Sequence, residues 1–178
     1  EERKGEKNME DPIISGVVHD AGDAKITVLG VPDQPGVSAA LFEPLANANV
    51  NVDMIVQNTS TAGTTDISFT LPKTDVAIAQ PIVEKIAKQV GASGVTQDTN
   101  IAKLSLVGAG MKSSPGIAAK MFRVLADNKV NIEMISTSTI RISVVVAAPM
   151  LETAVRALHT AFNLDSGEEY SAPLPERK

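Results

Sequence analysis

The sequence has no cysteine and no tryptophan, and only one tyrosine and four phenylalanines. The lack of cysteine excludes disulfides, thiolate metal sites and cysteine nucleophiles together, and fits a reducing compartment. Histidine is nearly as scarce. His19 and His159 are the two present, they stand far apart, and no HExxH-like spacing offers a metal its ligands. Aromatics make up 3% of the chain, so a core must be built from Val, Ile, Leu, Ala and Met. Few aromatics and a net charge of −5 argue against nucleic acid, which demands basic patches and stacking surfaces. No apolar run approaches the roughly 20 residues that cross a bilayer. The charged start, EERKGEKNMEDP, lacks the apolar stretch of a signal peptide. The expectation is a cytoplasmic protein that engages neither membrane nor nucleic acid.

What is present is a chain of 178 residues, 43% hydrophobic and 21% charged. That suffices for a packed core in one ordinary domain or two small ones. The chain also contains itself twice. AKITVLG at 24–30 aligns with AKLSLVG at 102–108, and PGVSAALFEPLANANVNVDMIVQN at 35–58 aligns with PGIAAKMFRVLADNKVNIEMISTS at 115–138. Ten of the latter 24 positions are identical, among them Pro35/Pro115, Phe42/Phe122, Asn51/Asn131 and Met54/Met134. Two copies are too few for a solenoid. They imply a duplicated module.

Each copy reads as strand, helix, two strands, helix and a weak final strand. The first strands (25–29; 103–107) run to a glycine, and a Pro-Gly pair then opens a helix, where proline's missing donor is harmless. Val37, Ala40, Leu41, Leu45 and Ala48 share one face of the first helix; Ile117, Met121, Val124 and Leu125 share one face of its copy. Strands are expected at 50–57 and 65–71, and at 130–137 and 140–146, joined by a turn that is nearly absent in the second copy. Closing helices carry Ala79, Ile82, Val83, Ile86, Ala87 and Val90, and Leu151, Ala154, Val155, Leu158 and Phe162. Pro44 and Pro81 fall inside helical segments, where a kink or a late start is expected. Last strands are placed near 94–97 and 169–172. This is the split βαββαβ order of ferredoxin-like α+β folds, with helices on one face of each antiparallel sheet. The strand at 14–19 has no counterpart in the repeat and is expected to complete the second module. Small modules with an open sheet face or edge tend to associate.

Chemistry for catalysis is hard to find. His159 reads as a helix residue and His19 as a strand end; no G-x-S-x-G elbow or P-loop occurs. LVGAGMKSSPG follows a strand and opens a helix, but the third glycine of a dinucleotide fingerprint is replaced by Ser113, and the aligned GVPDQPG has no G-x-G. The loops can instead bind a small carboxylate, because a helix N-terminus presents free N–H groups and partial positive charge. Asp33, in the same loop, can meet an α-ammonium group, so a free amino acid suits the geometry. The same Asp33-Gln34-Pro35-Gly36 also reads as a simple turn. Asn51 and Asn131 either contact a ligand or shape turns, and Gln57, Asn58, Thr59 and Ser60 either line a site or form a solvated edge. Lys112 and Arg141 read as surface charges.

At these residues the sequence resembles a known family. The D-x-PG loop, NVDMIVQN, TTDISFT and KLSLVGAGMKSSPG…NIEMISTSTIRIS resemble the regulatory half of aspartate kinase, a pair of ACT domains, over about 9–170. The likeness extends to the small regulatory (β) subunit of the heterotetrameric type; MEDPIISGV resembles its start, which makes Met9 a candidate initiation site and 1–8 a linker or foreign sequence. The resemblance implies that the kinase domain lies elsewhere and that this chain alone does not catalyse. It implies allosteric feedback control of aspartate-family biosynthesis by end-product amino acids, with no cofactor and no metal in this chain. Partners would be a second copy, placing ACT1 beside ACT2, and a catalytic (α) subunit. One effector site would use Asp33, Gln34, Pro35, Gly36, Val37, Ser38, Gln57 and Asn58, with Asn131 and Ile132 from the other chain; L-threonine is its expected occupant. The second would use Met111, Lys112, Ser113, Pro115, Gly116, Ile117, Ser136, Thr137 and Ser138, with Asn51, Val52 and Asp53 from the partner. L-lysine is the candidate there, although Ser114 and Thr139 stand where the family has histidine and glutamate, so this site holds lysine or nothing. Expected boundaries are 1–11 for a flexible segment, 12–22 for the added strand, 23–99 and 100–173 for the two ACT domains, and 174–178 for a tail. The competing classes are a free-standing ACT sensor of a different enzyme and a small α/β enzyme on the same scaffold.

Overall fold

The computed structural model describes residues 13–58, 62–109, 115–166 and 170–171, the last two and 13, 115 and 166 by backbone only. The chain divides into two compact units, one formed by Asp20–Lys103 with Ala147–Pro149, the other by the remaining described residues.

The first unit contains β2 (Asp23–Pro32), α1 (Val37–Asn47), β3 (Ile55–Gln57), β4 (Thr64–Pro72), α2 (Val76–Val90) and β5 (Gly94–Asp98), following β1 (Ile13–Asp20) in the chain. Its antiparallel sheet has the order β3-β4-β2-β5. Alternate residues of β2 (Ala24, Ile26, Val28) and β4 (Ile67, Phe69, Leu71) are buried with Leu41 and Leu45 of α1 and Ala79, Val83 and Ala87 of α2 in one cluster. Phe42 meets Phe69 edge-on at 5.3 Å between ring centroids, so two of the few aromatics form the specific contact in an otherwise aliphatic core.

The second unit contains β6 (Ile101–Ala109) from Leu104 onward, its first three residues counting with the first unit, then α3 (Pro115–Asp127), β7 (Met134–Thr137), β8 (Arg141–Ala147), α4 (Leu151–Ala161) and β9 (Tyr170–Ser171). Its sheet runs β7-β8-β6-β1-β9. The N-terminal strand thus lies between β6 and β9, in the place where the first unit pairs β5 directly with β2. Leu104, Leu106, Ile117, Met121, Leu125, Val144, Leu158 and Phe162 are buried. The elements form the expected α+β class, two ferredoxin-like βαββαβ units with antiparallel sheets.

Several sequence expectations need correction. β3 and β7 are shorter than expected, because the amides at their expected starts are used elsewhere. Asn49 and Lys129 adopt φ 60° and 58°, and the next amides, of Val50 and Val130, donate back to the carbonyls of Leu45 and Leu125 at 2.9 Å. This is the Schellman closure of α1 and α3. In the first unit Met54 N–H then donates to the Thr70 hydroxyl at 3.0 Å rather than to a ladder carbonyl. Pro44 and Pro81 delay neither helix: α1 starts at Val37 and α2 at Val76. The carbonyls their missing donors would have used belong to Ala40 and Ala77, both exposed, where water can replace the bond. Ala40 accordingly leaves the apolar face assigned to it.

Each sheet carries a hydroxyl pair at the same place in the repeat. Thr27 Oγ1 and Ser68 Oγ are 2.8 Å apart, and Ser105 Oγ and Ser143 Oγ 2.7 Å. Ser105 and Ser143 are buried, and a buried hydroxyl left without its partner costs more than the bond contributes.

A left-handed lysine is strained where glycine is not. Lys129→Gly is expected to raise unfolding free energy by about 0.5–1 kcal/mol, measurable by urea titration; destabilisation would contradict the closure described.

Candidate functional site

The local chain around residues 30–38 shows how the first site is built. β2 carries a bulge opposite β4: Val28 faces Ile67 and Val31 faces Thr65, leaving Leu29 and Gly30 against Asp66. Gly30 takes φ 62°. Beyond the bulge Asp33 N–H donates to Gly63 C=O at 2.9 Å and Gln34 N–H to Pro32 C=O at 3.0 Å. Gly36, at φ 91°, is the N-cap of α1 and supplies no side-chain hydrogen bond, and the first turn holds no acidic residue. Val37 N–H makes a long bond to Gln34 C=O at 3.4 Å, and no side chain caps the amides that follow, so the helix start still offers donors to an anion.

The structure brings several predicted residues of the first unit to one place. Asp33, Gln34, Pro35 and Gly36 are exposed in the loop, Val37 is half-buried and Ser38 exposed at the helix start. The Ser38 hydroxyl faces Gln57 Oε1 at 3.5 Å, a long contact that joins the helix start to the end of β3. Asn58 follows, and its carbonyl accepts the Thr65 hydroxyl, which ties β4 to that end of β3. Asn131 is exposed and Ile132 half-buried in the second unit, between α3 and β7. The arrangement offers a carboxylate, a hydroxyl, an amide and helix N–H groups within one chain segment and its neighbouring strand. Such a set matches the two charges of an amino acid.

The second set is less complete. Met111, Lys112, Ser113 and Ser114 lie outside the described residues. Pro115 opens α3, Gly116 is exposed, and Ile117 is 1% exposed, so its side chain belongs to the core. Ser136 and Thr137 are exposed on β7. Ser138 is committed to the turn: its N–H donates to Arg141 C=O at 2.8 Å and its hydroxyl accepts Ile140 N–H at 3.3 Å. Thr139 is exposed there. Asn51 is exposed and Val52 half-buried. Asp53 forms an ion pair with Lys103, whose Nζ also lies 3.8 Å from Asp23 Oδ2. The Asp53 carboxylate is already engaged within its own unit.

Sequence reasoning missed Gly63, Thr65 and Asp66, which hold the loop and strand ends of the first site. It also missed Asp23, which is 7% exposed. Burial pushes the Asp23 carboxyl above its ordinary value of 3.8, against the pull of Lys103. His159, with Nδ1 3.7 Å from Asp165 Oδ1, and His19 stand at the ends of α4 and β1. Among the described residues no helix is long and apolar enough to cross a membrane.

This geometry has close parallels. ACT-domain models match residues 25–91 and 104–162, which makes the chain a tandem ACT-domain protein. An aspartate kinase of Pseudomonas fluorescens is 51% identical over 161 residues, covering 90% of this chain and 39% of its own length. A crystal structure of aspartokinase alpha and beta subunits superposes with TM-score 0.79 at 45% identity, covering 84% of this chain and 99% of the other. The ligand-free regulatory subunit of aspartate kinase from Thermus thermophilus gives TM-score 0.80 at 40% identity, covering 84% and 98%. The chain belongs to the aspartate kinase family and comprises its regulatory ACT region. It spans 39% of the length of the full-length relative.

Because the folded protein binds the Asp23 proton more tightly than the unfolded chain, stability falls as pH rises from the ordinary carboxylate value through the raised one. Asp23→Asn is therefore expected to be at least as stable as the parent at pH 7, with the difference closing as pH falls below 3.8. Urea unfolding across that range checks the sign.

Proposed function

We propose that this chain is the amino-acid sensor of an aspartate kinase, conveying end-product feedback to a kinase domain or catalytic α subunit that phosphorylates aspartate. The observation carrying this reading is the convergence of Asp33, the uncapped start of α1, Ser38 and Gln57 in one half-site, within a chain of this family. The other half would come from Asn131 and Ile132 of a second copy. Threonine fits best: its carboxylate takes the helix N–H groups, its ammonium takes Asp33, and its hydroxyl takes Ser38 or Gln57.

Homodimerisation is supported by the edge strands. Ile55 on β3 and Ile135 on β7, equivalent in the repeat, are 51% and 45% exposed, and exposed apolar edge strands seek a partner. In the second site, Asp53 engaged by Lys103 and Thr139 in place of an acid leave a lysine ammonium little to hold, so lysine is expected to bind weakly or not at all. The ligand regulates only by binding one arrangement of the assembly better than the other.

At about 100 times Kd, threonine should add about 2.7 kcal/mol if only the folded form binds, a rise in Tm of about 5–10 °C for a chain of this size. Gln57→Phe is expected to remove that rise with the fold intact; an unchanged rise would refute the site. Ile55→Glu is expected to convert a dimer to a monomer in light scattering, and an unaltered mass would refute the edge contact.

A further inference from the structure

Gly30 lies in the β2 bulge, where its amide has no opposite carbonyl in the ladder. That N–H donates to Oδ1 of Asp66 on β4 at 2.9 Å. On the other flank Leu29 C=O accepts Ser93 N–H at 2.8 Å, and a side chain at Gly30 would drive its Cβ into Ser93 Oγ. The bulge is thus held from both sides, and the residues it aims are Asp33 to Ser38. In the other repeat the equivalent glycine, Gly108, donates to a backbone carbonyl, that of Ile140, at 2.9 Å. The residue matching Asp66 there is Arg141. A carboxylate latch therefore exists in one repeat only, beside the half-site with the fuller set of ligand groups.

We propose that Asp66 is a positioning residue for the effector loop: its carboxylate, by fixing the Gly30 bulge, sets the angle at which Asp33 and the start of α1 meet the amino acid. This rests on the reading of that loop as an amino-acid site. A bulge re-aims the chain that leaves it, and groups that hold a binding residue in place contribute to affinity without touching the ligand. Asp66 is exposed, so its removal leaves no buried gap. Asparagine offers the same amide-accepting oxygen at the same length.

The test uses the purified full chain. Threonine Kd is measured by calorimetry well below Tm for the parent, Asp66→Ala, Asp66→Asn and Val83→Ala, the last a cavity variant in the α2 core. Hydrogen exchange follows the Gly30 amide in the absence of threonine. Asp66→Ala is expected to weaken threonine about tenfold, the scale of one net hydrogen bond, and to speed exchange at Gly30. Asp66→Asn should restore the parent's affinity, while Val83→Ala should lower Tm and leave Kd alone. Unchanged affinity in Asp66→Ala, or equal weakening in Val83→Ala, overturns the positioning role while leaving the threonine site standing. A parent that binds no threonine overturns both.

Discussion

A backbone amide can be used once, and in both units the amide after the first helix is used to close that helix. Val50 and Val130 donate back to Leu45 and Leu125 across a left-handed residue. They cannot then begin a strand ladder, so β3 and β7 start several residues later and remain short edge strands. Shortness at the edge has two effects. It leaves Ile55 and Ile135 unsheltered at the rim of each sheet, and it brings Gln57 alongside Ser38 at the start of α1. Helix capping, strand length and the half-site are therefore one linked constraint. Everything N-terminal to the helix is set by a second constraint, the bulge at Gly30.

Much of this was legible in the sequence because periodicity reports burial. The repeat alone gave the module and its element order, and the apolar faces of α2 and α4 follow their spacing closely. Val83 and Leu158 are buried as their register demands. What the pattern hid was the hydrogen-bond bookkeeping. Nothing in NANVNVDM says that Val50 donates to a helix carbonyl, or that the Thr70 hydroxyl intercepts Met54 N–H. Prolines at 44 and 81 delay neither helix for a related reason: the cost of proline depends on whether the orphaned carbonyl can reach water, which is a property of the face and not of the residue.

The candidate site was partly legible. The loop Asp33–Gln34–Pro35–Gly36 and Gln57 announced themselves through helix-start chemistry and polar residues at a strand end. Asp66 did not, since an aspartate in a strand carries no sign that its partner is a glycine amide 36 positions earlier. Likewise Asp53 reads in the sequence as a group offered to a second copy, whereas its carboxylate is bound to Lys103.

Two near-copies in one chain create a hazard during synthesis and refolding: β2 could pair with β8, or β6 with β4. The hydroxyl pairs do not discriminate, because Thr27 would find Ser143 as readily as Ser68. The bulge does. Set against β8, the Gly30 amide would be left with the Ile140 carbonyl that Gly108 uses, where β4 offers the Asp66 carboxylate. The two sheets, alike in element order and in their hydroxyl pairs, thus differ in what fastens the turn out of their first strand: a side-chain carboxylate in one and a backbone carbonyl in the other.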